Sequence, residues 1–140
     1  WAHLERVRNI PFPYSADRMP PLPENPTEDE TARFAAYPEQ GTIEAVERFF
    51  DQYVEFSVER NAPVFCGEFG CFVPFAKHED RVNWYRIVTG LLGERGIART
   101  SWDYYGGFGI FKMKPFERGK RPEWKFPEDL DLDIVEAMGL

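Results

Sequence analysis

Pro63-Val64-Phe65-Cys66-Gly67-Glu68-Phe69-Gly70 is an extended, mostly apolar run ending in a carboxylate set between glycines. A short apolar run that follows a chain break reads as a buried strand. Such a strand has no structural use for a carboxylate at its end. Small neighbours on either side leave that carboxylate open to a ligand. A second run, Ile97-Ala98-Arg99-Thr100-Ser101-Trp102-Asp103-Tyr104-Tyr105-Gly106-Gly107-Phe108-Gly109-Ile110, repeats the design with aromatic side chains. An acid at one strand end and a tryptophan at another suit a sugar, which offers hydroxyls to the first and an apolar C–H face to the second.

Working outward, Thr42 to Arg60 is the clearest helix. Thr42 is a good N-cap, and Ile43, Val46, Phe49, Phe50, Tyr53, Val54 and Ser57 or Val58 recur at helical spacing to give one apolar face. Asn61-Ala62-Pro63 stops it, and the strand over Val64 to Glu68 follows. Glu79 to Arg95 is a second helix, with Val82, Tyr85, Val88, Leu91 and Leu92 on one face and Gly96 as its stop. The second strand covers Ile97 to Tyr104 and ends in the tight loop of Gly106, Gly107 and Gly109. Residues 112–126 read as a basic loop, and a last helix is expected from Pro127 to about Met138. Strands alternating with amphipathic helices imply a parallel sheet covered by helices. Two strands alone leave an unpaired edge on each side of such a sheet.

Residues 1–41 read as a long irregular segment carrying seven of the twelve prolines, because proline supplies no N–H and clashes with a preceding helical turn. Within it, Thr27 to Ala36 is the place for a short helix, with Thr27 as cap and Glu28, Asp29 and Glu30 at the positive end of the dipole.

The bulk composition narrows the function. At 140 residues the chain is long enough for one domain with a real core. A net charge of −7 disfavours nucleic acid as a partner. No apolar run approaches the ~20 residues of a membrane span. Trp1-Ala2-His3-Leu4-Glu5-Arg6 lacks the apolar centre of a signal peptide. The expectation is that the chain starts in the middle of something longer. Cys66 and Cys71 are too few for a zinc site or a disulfide framework. They are expected to be free or buried thiols, a local bridge being the alternative. No metal is expected at Glu68, since no His or Asp falls at ligand spacing from it, and His3 and His78 have weak claims to any site role. No cofactor is implied.

Pro-Val-Phe-Cys-Gly-Glu-Phe-Gly, a helix holding Arg81 and Trp84-Tyr85, and then Gly-Ile-Ala-Arg-Thr-Ser-Trp-Asp-Tyr-Tyr-Gly-Gly-Phe-Gly-Ile-Phe together resemble the end of a glycoside hydrolase family 5 (cellulase) barrel. The likeness covers about residues 62–111 closely and 129–140 loosely. It implies an α/β fold in which the chain is the C-terminal part of a (β/α)8 TIM barrel, about strands seven and eight with helices six to eight. Residues 1–41 would be the long loop after strand six, and 42–140 the helix-strand-helix-strand-helix remainder. By the same resemblance Glu68 is the catalytic nucleophile of a retaining hydrolase, and Trp102 is the platform under the sugar beside the cleaved bond. Trp1, with Phe12 and Tyr14, is a candidate for a more distant substrate subsite. Tyr104, Tyr105 and Phe108 fit packing better than sugar contact, and Trp124 fits a surface anchor. Lys112 stands where family members often carry Asp.

The family's acid/base is a Glu in Asn-Glu-Pro, and no Asn-Glu pair occurs in this sequence. The chain is therefore expected to supply the nucleophile without the acid/base, to be inactive alone, and to need the N-terminal portion of the barrel as a partner, within one polypeptide or as a separate chain. The substrate implied is a β-glucan of the β-1,4 type, with β-mannan and β-1,3-glucan as alternatives, and the resemblance favours a secreted or periplasmic protein. The rival expectation is a non-catalytic carbohydrate-binding or assembly fragment.

Overall fold

The computed structural model describes residues 6–114 and 122–140. Among these described residues, four α-helices and two strands follow in the order α1 (Glu28–Gln40), α2 (Ile43–Arg60), β1 (Phe65–Phe69), α3 (His78–Glu94), β2 (Ala98–Ser101) and α4 (Leu132–Ala137). β1 and β2 pair in parallel, as expected of a strand-helix-strand unit.

The helices begin where their caps dictate. Thr27 and Glu30 form a reciprocal capping box on α1: the Glu30 amide donates to Thr27 Oγ1 at 3.1 Å, and the Thr27 amide donates to Glu30 Oε2 at 2.7 Å. Thr42 Oγ1 accepts from the Ala45 amide at 3.1 Å to start α2. That helix ends at Asn61, in the left-handed region at φ 48°. Gly96, at φ +64°, follows the end of α3.

Several boundaries differ from the sequence expectation. α1 runs on to Gln40 and contains Pro38, so residues 1–41 are not all loop. The proline argument fails there because Pro38 sits in the last turn, where its missing N–H removes a single helical bond. β1 is shifted by one residue, to Phe65–Phe69, and β2 is shorter than expected because the chain from Trp102 onward folds back on Asp103. The last helix starts at Leu132 rather than Pro127. Before it, the Asp131 amide donates to Ile110 O at 2.9 Å and the Lys112 amide to Asp129 O at 2.9 Å, so this segment is committed to bridging residues 110–112.

The main core joins Phe50, Phe69, Cys71, Tyr85, Val88, Leu91, Leu92, Ile97, Ile134, Ala137 and Met138. α3 supplies its centre, with Tyr85 and Leu92 fully buried. The apolar face of α2 is wider than this core: Phe50 is buried, yet Phe49, Tyr53, Phe56 and Val58 are exposed, as is Phe65 on β1. A second, smaller cluster of Val7, Ile10 and Tyr37 anchors the segment before α1.

That segment is pinned to α3 by a buried carboxylate. Asp80 has no exposure. It accepts from the Phe12 amide at 3.2 Å and from Arg18 Nη2 at 2.9 Å on each oxygen. Asp80→Ala removes the carboxylate that the Phe12 amide and Arg18 share, leaving Arg18 with Glu79 at 2.7 Å. A loss of about 3 kcal/mol is expected, read as a lower urea midpoint. An unchanged midpoint would show that the anchor is dispensable.

Candidate active site

The site is built on the carboxyl ends of the two strands, where parallel α/β architectures bind ligands. Register pairs Phe65 with Ala98, Cys66 with Arg99 and Phe69 with Ser101. Between Cys66 and Phe69 the first strand spends three steps while the second spends two. The extra residue is a bulge over Gly67-Glu68, and bulges re-aim side chains next to active sites. Glu68 is exposed there, between half-buried Cys66 and buried Phe69.

Beyond the paired residues the two strand ends stay bonded. The Trp102 amide donates to Phe69 O at 2.7 Å, and the Val73 amide donates to Gly107 O at 2.7 Å. Gly70 lies directly against the Trp102 carbonyl, so a Cβ at position 70 would overlap that oxygen. Gly70 is thus required for strand-end contact rather than for access to Glu68. At Gly67 an added Cβ would meet only the Phe65 ring, at 3.7 Å. The Trp102–Asp103 peptide is cis. Asp103 Oδ1 accepts from the Phe108 amide at 3.3 Å and closes the aromatic turn.

Glu68 and Trp102 line one open groove of about 560 Å³ with Val46, Phe50, Cys66, Gly70, Trp84 and Phe108. Trp102 is 51% exposed. A second hollow of about 480 Å³ lies between the same two loops, bordered by Phe72, Pro74, Phe75, Asp103, Tyr105 and Trp124. Glu68 and Trp102 thus line the same groove. Trp1 lies outside the described residues. Phe12 is 2% exposed and cannot face a sugar, which corrects its candidacy. Tyr14 packs edge-on to Tyr37 at 6.0 Å. Tyr104 and Tyr105 pack on Phe111, and Trp124 packs on Tyr105 and donates to Lys112 O at 2.8 Å.

Both cysteines are free. Burial pushes the Cys71 thiol up to about 12 and also raises that of Cys66, which disfavours the reactive thiolate of both. The donor atoms of His78, Asp131 and Asp133 lie within 4.8 Å of one another. They tie the start of α3 to α4 through a His78 Nε2–Asp131 Oδ1 contact of 2.9 Å, with Arg81 Nη1 3.7 Å from the same carboxylate. None of them lines the groove that holds Glu68.

Two features escaped the sequence reading. The bulge had a signal in Gly67, since glycine inside a strand often marks one. Tyr85 was read only as core. Its hydroxyl accepts from the Cys71 amide at 3.3 Å and donates to Phe108 O at 3.1 Å, joining the loops after β1 and β2.

No protein-family model matches the chain. Endoglucanase H of Acetivibrio thermocellus is 37% identical over 101 residues, covering 71% of this chain and 10% of that protein. A hyperthermophilic endo-beta-1,4-glucanase solved with substrate superposes with a TM-score of 0.51 at 28% identity, over 70% of this chain and 28% of its own. Endoglucanase Cel5A of Thermotoga maritima superposes with a TM-score of 0.55 at 22% identity, over 69% of this chain and 27% of its own. The two solved structures are (β/α)8 barrels, and the α/β unit described here is consistent with part of one. The chain is related to the glycoside hydrolase family 5 cellulases, and the relationship is partial in coverage. It spans about a tenth of the curated relative's length and under a third of either structure's.

Proposed function

We propose that this chain contributes the seventh and eighth strands to the (β/α)8 barrel of a retaining β-glucan hydrolase, with Glu68 as nucleophile and Trp102 as sugar platform. The observation that carries the reading is the placement of an exposed carboxylate and a half-exposed indole on one groove, at the carboxyl ends of two bonded parallel strands.

In the reaction, a Glu68 oxygen attacks the anomeric carbon as the bond to the leaving oxygen breaks, and a glycosyl ester forms on Glu68. The leaving oxygen takes a proton from a general acid in the remaining part of the barrel. That group, now a base, removes a proton from the water that cleaves the ester. Trp102 stacks on the sugar at the cleavage point. The second hollow, walled by Phe75, Tyr105 and Trp124, suits a neighbouring sugar unit, with Asp103 as acceptor for a hydroxyl.

The open edges of β1 and β2, with the exposed Tyr53, Phe56 and Phe65, fit the adjoining strands of a closed barrel. The substrate we assign is a β-1,4-glucan, as acted on by the endo-beta-1,4-glucanase that superposes here.

A 2-fluoro-cellobioside with a good leaving group tests the reading, because the fluorine slows ester hydrolysis and lets the intermediate accumulate. With the complete barrel, the peptide bearing Glu68 is expected to gain the mass of one fluoroglycosyl group. Saccharide binding with no label and no turnover would instead favour a carbohydrate-binding or assembly role.

A further inference from the structure

We infer that Tyr85 is a positioning residue that holds the Glu68-bearing strand end at working distance from the Trp102-bearing one; this rests on the reading of Glu68 as nucleophile. Tyr85 lies at the middle of α3, beneath both loops, with no exposure. Its ring meets Phe69, the residue after Glu68, at 6.0 Å and 64°, and Trp84 at 5.2 Å and 85°.

Its hydroxyl uses both of its capacities. One lone pair accepts from the Cys71 amide, three residues past Glu68, and the O–H donates to the Phe108 carbonyl, six residues past Trp102. Burial pushes the phenol above its ordinary value, so the donor stays on the oxygen. Backbone bonds near the strands, from Trp102 to Phe69 and from Val73 to Gly107, and the Phe72–Phe108 ring contact at 5.0 Å also join these loops. Tyr85 spans from the helix layer to both loops, as does its α3 neighbour Arg81, which donates to Gly109 O at 3.3 Å and bonds the Cys71 side chain. The anchor of Tyr85 on α3 makes the gap between the loops a property of the core rather than of the loops.

The consequence is catalytic, because attack requires a near-attack distance that a shift of about 1 Å degrades by roughly 100-fold. Tyr85→Phe keeps the ring and removes both hydrogen bonds. In the complete barrel it is expected to lower the rate of Glu68 labelling by the 2-fluoro-cellobioside, and kcat, by roughly 10- to 100-fold, with KM changed by no more than about twofold. Ile134→Val, a core change in α4 away from the loops, serves as the destabilised control and should leave kcat unaltered. Independently of any variant, amide exchange at Cys71 in the wild type should be slow. Labelling of Tyr85→Phe at the wild-type rate, an equal kcat loss in the Ile134→Val control, or fast Cys71 exchange overturns the inference while leaving Glu68 as nucleophile. A wild-type barrel that is not labelled at all removes both.

Discussion

In the complete barrel proposed above, Glu68→Gln is expected to reduce β-glucan turnover by about 10⁴-fold or more, with oligosaccharide affinity and thermal stability close to wild type. The substitution keeps the shape of the side chain and removes the oxygen that attacks. Stability should hold because Glu68 is exposed, and among the described residues no ion pair engages it. Affinity should hold because the stacking surface of Trp102 and the groove walls are untouched. Two measurements separate the readings. Steady-state turnover on a soluble β-glucan reports the chemistry, and calorimetric titration with a cello-oligosaccharide reports the groove. A variant that turns over at the wild-type rate would remove Glu68 from the mechanism. A variant that loses binding and turnover in proportion would make it a binding residue instead.

Gly70→Ala is expected to be the most damaging small substitution at the site. The added Cβ would overlap the Trp102 carbonyl oxygen and lie 3.2 Å from the Phe108 Cβ. The first of these neighbours is backbone, so relief requires the two strand ends to part. A loss of about 3 kcal/mol is expected from this kind of overpacking. The folded fraction should also lose activity, since the Trp102–Phe69 bond lies at the point of separation. Gly67→Ala is the matched comparison. Its Cβ meets an aromatic ring at ordinary contact distance, and it should remain within about 1 kcal/mol of wild type. Thermal melts of the two variants decide the matter. Equal melting temperatures would mean that the close approach at Gly70 is not needed.

What could be read in advance divides along physical lines. The positions of Glu68 and Trp102 at the ends of β1 and β2 were legible because glycines break both runs just beyond them. α2 and α3 were legible because Thr42, Asn61 and Gly96 mark their limits chemically. α1 was only half legible: Thr27 announces its start, but its length depends on Tyr37, which closes onto the Pro11 carbonyl at 2.7 Å, a contact no local pattern displays. The late start of α4 is of the same kind, set by bonds from residues 129–131 to a segment twenty positions earlier. The aromatic face of α2 was visible as apolar, yet periodicity does not say which part this chain covers. Tyr85 was hidden for a related reason. A tyrosine at a core position reveals its ring by spacing, while the use of its hydroxyl depends on what two distant loops bring to it.

The two-stranded ribbon has bare margins on both sides, beside a helix studded with uncovered phenylalanines. Separated from its surroundings, such a surface invites stacking with further copies of itself, the route by which soluble chains become insoluble deposits. Co-production with the remainder of the barrel we propose, rather than refolding of residues 1–140 by themselves, is the preparative strategy that follows.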